Sequence, residues 1–229
     1  MVKMKTKQVR VLPIHIRVFR GAKVSVEQIR EQVALANRTW ATCNIRFSIS
    51  SIQAVVRPKE LTQLTIPISD QMRRTASLER VTSGFLKGVL IFYTNLSFTK
   101  ESKANGVTFG RIYTPNNASP FLGVNIFFDN TLNSSNPNEG ISYLLAHELG
   151  HALFVNKNAA NIPQPEPQYR EFNDKGQVIK HDPFHSGDPL NVMFPEVRAK
   201  PSVLPRQCEI ARSSPLFLSS NISKRKFAQ

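Results

Sequence analysis

The sequence predicts an α/β fold (α+β in the order of its elements): a mixed, twisted sheet with long helices packed against it. Three observations predict it. An alternating segment near the N-terminus leads into a capped amphipathic helix, and the unbroken apolar run Val89-Leu90-Ile91-Phe92-Tyr93 reads as a buried strand. Further strand-like segments then precede a second, strongly apolar helix, so the strands need helices to cover them. A chain of 229 residues fits one domain, 1–229, with ample core.

The elements follow in order. Over residues 9–19, Leu12, Ile14, Ile16 and Val18 share one face of a strand that Gly21 ends. Ser25 with Gln28 forms a capping box, after which Val26, Ile29, Val33, Ala36 and Trp40 keep helical spacing over 26–41. Ile45, Phe47, Ile49 and Ile52 mark a second strand. Residues 58–80 are polar and basic, which predicts a loop with a short helix. Residues 89–93 form the next strand, and Asn105-Gly106 opens a strand pair over 107–113 and 124–128 with a Pro- and Asn-rich loop between them.

Composition bounds the function. With 41% hydrophobic residues and 20% charged, the chain is globular rather than disordered. No apolar run approaches the roughly 20 residues that span a bilayer. Lys and Arg number 30 against 16 Asp and Glu, a net charge of +14. Residues 1–136 carry 19 basic and 7 acidic side chains, residues 137–195 carry 4 and 7, and residues 196–229 carry 7 and 2. Such a surface suits either no special partner, or an acidic partner, a membrane surface or nucleic acid. Nucleic acid is disfavoured, because no RNP motif, zinc finger or long basic helix is present. Lys224-Arg225-Lys226 reads as a solvated end. Cys43 and Cys208 exclude a disulfide-dense scaffold and a four-thiolate zinc site, and they read as two buried free thiols in preference to a disulfide. The basic stretch 1–10 lacks a following apolar h-region, so no Sec-type signal is legible; export or injection by another route is expected over residence in the cytoplasm.

The chemistry lies in Tyr143-Leu144-Leu145-Ala146-His147-Glu148-Leu149-Gly150-His151-Ala152-Leu153. On a helix, residues four apart share a face, so His147 and His151 can reach one Zn²⁺. Glu148, beside the first ligand, can take a proton from metal-bound water without binding the metal. A catalytic site needs a third ligand and an open fourth position. His15 lies in the first strand and reads as structural. His181, His185, Glu166 and Glu171 stay open as the third ligand on spacing alone.

His185-Ser186-Gly187-Asp188-Pro189-Leu190-Asn191-Val192-Met193-Phe194-Pro195 resembles the third-ligand and Met-turn stretch of the metzincin zinc metalloproteases, matrixin-like bacterial members in particular. The resemblance implies His185 as third zinc ligand, with His181 as its rival, and Met193 as the structural Met-turn residue beneath the metal. Other segments are similar to the family's in order. Residues 37–40 lead into 45–47, and Val124-Asn125-Ile126 belongs to a stretch resembling the edge strand that binds substrate. Pro205 suits the start of a final helix. The family pattern places Gly where this chain has Phe154, and its third His follows the second by six residues. Here His185 follows His151 by 34, a spacing 28 residues longer. Phe154 disfavours a left-handed cap, which predicts a helix running one turn further, to about 156–158. The insertion, residues 155–184, is expected to carry a hairpin of 169–172 and 177–180 around Asp174-Lys175-Gly176, and to return the chain to the metal.

The resemblance implies a Zn²⁺-dependent endopeptidase acting on protein or peptide substrates. The acidic balance of residues 137–195 suits basic peptides. A compact, basic, protease-like chain also suits an exported or injected bacterial effector or toxin, restrained by an acidic inhibitor or immunity protein. Two alternatives stand beside it. One is a cytosolic regulatory His-Glu-x-x-His protease with a Glu third ligand. The other is a non-enzymatic, zinc-stabilised basic binding domain.

Overall fold

The computed structural model describes residues 8–84, 87–100, 104–114, 119–130 and 139–217. The basic tail at 224–226 and most of the basic N-terminal stretch lie outside them.

Five strands form one mixed sheet: β1 (Arg10–Phe19), β2 (Ile45–Val55), β3 (Gly88–Tyr93), β4 (Gly106–Tyr113) and β5 (Phe121–Phe128), in the order β2-β1-β3-β5-β4. β1, β2, β3 and β5 run parallel, and β4 runs antiparallel to β5 with Gly106 facing Phe128. The predicted α/β class therefore holds. Helix α1 (Val26–Trp40) makes the crossover from β1 to β2, and its capping box forms as predicted: Gln28 N donates to Ser25 Oγ, and Ser25 N donates to Gln28 Oε1. A two-stranded antiparallel unit, β6 (Gln168–Phe172) and β7 (Val178–Ser186), is the hairpin predicted within 155–184.

Side-chain alternation divides the core between the sheet's two faces. Leu12, Ile14, Val89, Ile91, Val124 and Ile126 pack with α1, α3 (Leu144–Leu153) and α4 (Pro205–Arg212). Phe19, Leu90, Phe92 and Phe127 pack on the other face beneath α2 (Asp70–Thr82), through Met72 and Ala76. The central strands are buried on both faces, which is why they read as apolar runs without polar alternation. Among the described residues no helix is long and apolar enough to cross a membrane.

Three expectations are corrected. Residues 58–80 contain more than a short helix: α2 has 13 residues and continues to Thr82, with the Ser69 side chain capping its N-terminus. Val124, Asn125 and Ile126 do not lie on an edge strand. β5 sits between β3 and β4, and all three residues are fully buried, so they cannot receive a substrate chain. The antiparallel return of β4 takes the edge position. Finally, Cys43 and Cys208 form a disulfide. Their separation of 165 residues conceals that α4 packs at the end of α1, which brings the two Cα atoms to 4.8 Å.

Candidate metal centre and active site

A 3₁₀ turn over Gly140–Tyr143 leads into α3, which the fold buries almost throughout. Trp40 at the end of α1 donates its Nε1 proton to Ala146 O, 3.0 Å away, fixing α3 on the sheet. Gly150 allows a second close contact. A Cβ there would lie 2.3 Å from Met193 Sδ and 3.0 Å from Trp40 Cζ2, so only glycine lets the turn carrying Met193 press against α3. Met193 is fully buried.

His147 and His151 project from the same face of α3, and His185 reaches them from the end of β7. His151 Nε2 lies 3.1 Å from His147 Nε2 and 3.3 Å from His185 Nε2. The Nδ1 atoms assign the tautomers of the outer pair. His147 Nδ1 lies 2.7 Å from the carbonyl oxygen of Val192, which only accepts, so Nδ1 donates. His185 Nδ1 likewise donates to Asp182 Oδ2, 2.7 Å away. Both Nε2 atoms therefore turn lone pairs into one small space, where a single proton on His151 cannot satisfy them all. Burial also pushes His147 down to about 3, helped by the neighbouring His185, and holds His151 well below the ordinary range. Neutral imidazole nitrogens gathered within 4.8 Å of one another suit a borderline cation such as Zn²⁺. Among the described residues no fourth His, Cys, Asp or Glu joins the group.

Glu148 stands beside this cluster, 4% exposed. Thr108 on β4 donates to Glu148 Oε2 at 2.5 Å. Gly106 clears the other oxygen, since a Cβ there would lie 2.8 Å from Oε1. Burial raises the carboxyl to about 7, against the lowering effects of the Thr108 hydrogen bond and His185. A cation held by the three imidazoles would draw it back down. Glu148 and all three histidines line one cleft of about 600 Å³. Residues 104–108 of β4 and its approach form one wall; Lys180, Asp182 and Phe184 of β7 form another, and Ile141, Leu144 and Val197 add apolar surface.

The rival residues lie elsewhere. His181 also sits on β7, but it is exposed and its Nε2 lies 2.8 Å from Gln168 Oε1. Glu166 pairs with Arg170, and Glu171 pairs with Lys180 and accepts from Tyr169. His15 is half-buried on β1, 3.1 Å from Ser51 Oγ, and burial lowers it to about 4 with help from Arg17 and Arg80. The helix also differs from expectation. α3 stops at Leu153, with Phe154 as its C-cap at φ −94°, ψ 26°. No left-handed residue is needed, because Phe154 N reaches Gly150 O and His151 O and Ile162 N donates back to Phe154 O at 2.6 Å. Thr108 and Asp182 join the site without having been expected there. Asp182, three residues before His185, carried a faint signal; Thr108 carried none.

No family model matches the chain, and no curated protein does. Among solved structures, the chain is similar to metalloproteinase-II from Bacteroides fragilis, with a TM-score of 0.57 and 12% identity over 92% of this chain and 55% of that one. The chain thus spans about half the length of the protein it matches, and at this identity the likeness is one of fold.

Proposed function

We propose that the protein is a zinc-dependent endopeptidase, with His147, His151 and His185 as metal ligands and Glu148 as general base. The observation that carries this reading is the convergence of three imidazole Nε2 atoms beside a buried carboxylate at the foot of an open cleft. Zinc in such a site supplies Lewis-acid polarisation of the scissile carbonyl and a lowered pKa for water. The chain's own residues do the rest. Val192 O and Asp182 orient two of the imidazoles. Glu148 takes the proton of the attacking water and passes it to the leaving amine, while Thr108 holds one of its oxygens. Met193 acts as a Met-turn residue, a packed floor beneath α3. The substrate lies extended along β4, the sheet's edge beside the cleft, by strand addition.

Residues 1–229 form one catalytic domain in this reading, and 155–184 is an insertion that delivers His185 and walls the cleft. The disulfide supports an oxidising compartment reached after export. The charge of +14 supports an acidic inhibitor or immunity protein as partner. A Glu third ligand finds no support, since Glu166 and Glu171 are engaged on the hairpin. A purely structural zinc site would be closed by a fourth protein ligand. The test is zinc content after dialysis: one ion per chain in wild type, His181→Ala and Glu171→Ala, and loss of the ion in His185→Ala. Zinc retained without His185 but lost without Glu166 or Glu171 would overturn the ligand set.

A further inference from the structure

His185 reaches the metal centre after an excursion of 34 residues from His151, so its position depends on what anchors that excursion. The geometry points to Gln207 as the positioning residue of the centre: one buried carboxamide on α4 clamps both the hairpin that carries His185 and the turn that underlies His147. This inference rests on the zinc reading above.

Gln207 is fully buried, and its carboxamide makes four hydrogen bonds. Its Nε2 donates to Gln164 Oε1 and to Asn191 Oδ1, each at 2.9 Å. Its Oε1 accepts from Asn191 Nδ2 and from Leu204 N, again at 2.9 Å. Two routes lead from there to the ligands. Gln164, just before the hairpin, donates its backbone N–H to Pro183 O at 2.7 Å, two residues before His185. Asn191 Oδ1 also accepts from Met193 N at 2.9 Å, which fixes the turn. From that turn Val192 O holds His147 Nδ1, and Met193 O accepts from Ser186 N, next to His185, at 2.8 Å. The disulfide to Cys43 falls on Cys208, the residue after Gln207, and pins this part of α4 to the end of α1. Where both partners of a hydrogen bond are buried, cutting one leaves the other unsatisfied, so the clamp holds or fails as a unit.

The test compares wild type with Gln207→Met, which keeps the volume and removes every hydrogen bond of the carboxamide. Zinc affinity is read by chelator competition well below the unfolding transition, alongside the electronic spectrum of the cobalt-substituted protein. The expected result is zinc affinity weaker by about tenfold or more, the range for residues that orient ligands, with an altered cobalt spectrum. A residue that merely stabilises the fold would lower the unfolding temperature and leave both readouts unchanged. Affinity within twofold of wild type, with an unaltered spectrum, would overturn the inference. If Gln207→Met does not fold, Gln164→Met cuts the hairpin route alone and is expected to weaken zinc in the same direction; unchanged affinity there overturns it equally. Wild type that binds no zinc would overturn the metal reading, and this inference with it.

Discussion

Glu148 is a carboxylate in a place that resists charge. The unfolded chain ionises it near 4.5, whereas the folded, metal-free chain keeps its proton up to about 7. Between those values the unfolded state binds fewer protons, so this group's contribution to stability falls as pH rises through that window. Metal-free Glu148→Gln is therefore expected to be more stable than wild type at pH 8 by roughly 1–3 kcal/mol, with the difference vanishing below about pH 4.5. Urea unfolding at the two pH values checks it, and a wild type as stable as the variant at pH 8 would refute it. Asp182 works in the opposite sense. Its hydrogen bond to His185 Nδ1 favours the ionised carboxylate and holds that pKa below the ordinary value. Asp182→Ala removes the acceptor that orients the ring and should weaken zinc binding by about 10–100-fold, with Asp182→Asn intermediate. Equal affinities for all three proteins would remove Asp182 from the site.

Helix α3 shows how much the site depends on packing between elements. Gly150→Ala improves intrinsic helix propensity by about 1 kcal/mol. The added methyl also meets Met193 Sδ and Trp40 from distances of 2.3 Å and 3.0 Å, and both are fully buried. Overpacking of that kind costs about 1–3 kcal/mol, so the variant should be net destabilised and its zinc affinity reduced. Thermal unfolding with and without zinc separates the two effects; a stabilised variant would contradict the packing described. The elements differed in how legible they were. β1, α1 and β3 announced themselves because their buried faces are apolar at the right period. α2 did not, because its buried positions Met72, Thr75, Ala76 and Arg80 include two polar side chains, which erase the hydrophobic stripe. The segment containing β5 read correctly as a strand, but its place in the sheet depends on β4 turning back beside it, which is a tertiary fact. α3 ends earlier than its sequence predicts because Phe154 caps it with an ordinary negative φ, and the backbone bond from Ile162 supplies the turn.

At the scale of the molecule, the parallel strands and their two helical layers hold α3 against β4, and the long excursion brings a third histidine back across that junction. Residues 147, 148 and 151 were legible because they lie within one helical turn and a half. Resemblance pointed to His185, but its convergence with the other two became visible only in the folded chain, as did the disulfide that fastens α4. The uneven charge is a whole-molecule property: the segment 137–195, with 7 acidic and 4 basic side chains, contains the β7 wall of the cleft, within a chain of net charge +14. In the reading proposed above, that balance would favour basic peptides as substrates and an acidic protein as inhibitor. Endopeptidase activity is read most directly by cleavage of a diverse peptide mixture, followed by mass spectrometry, with zinc-loaded wild type beside Glu148→Ala. New peptide termini are expected with wild type alone, abolished by a zinc chelator, while Glu148→Ala keeps its zinc. New termini that persist at an equal rate in Glu148→Ala would contradict it.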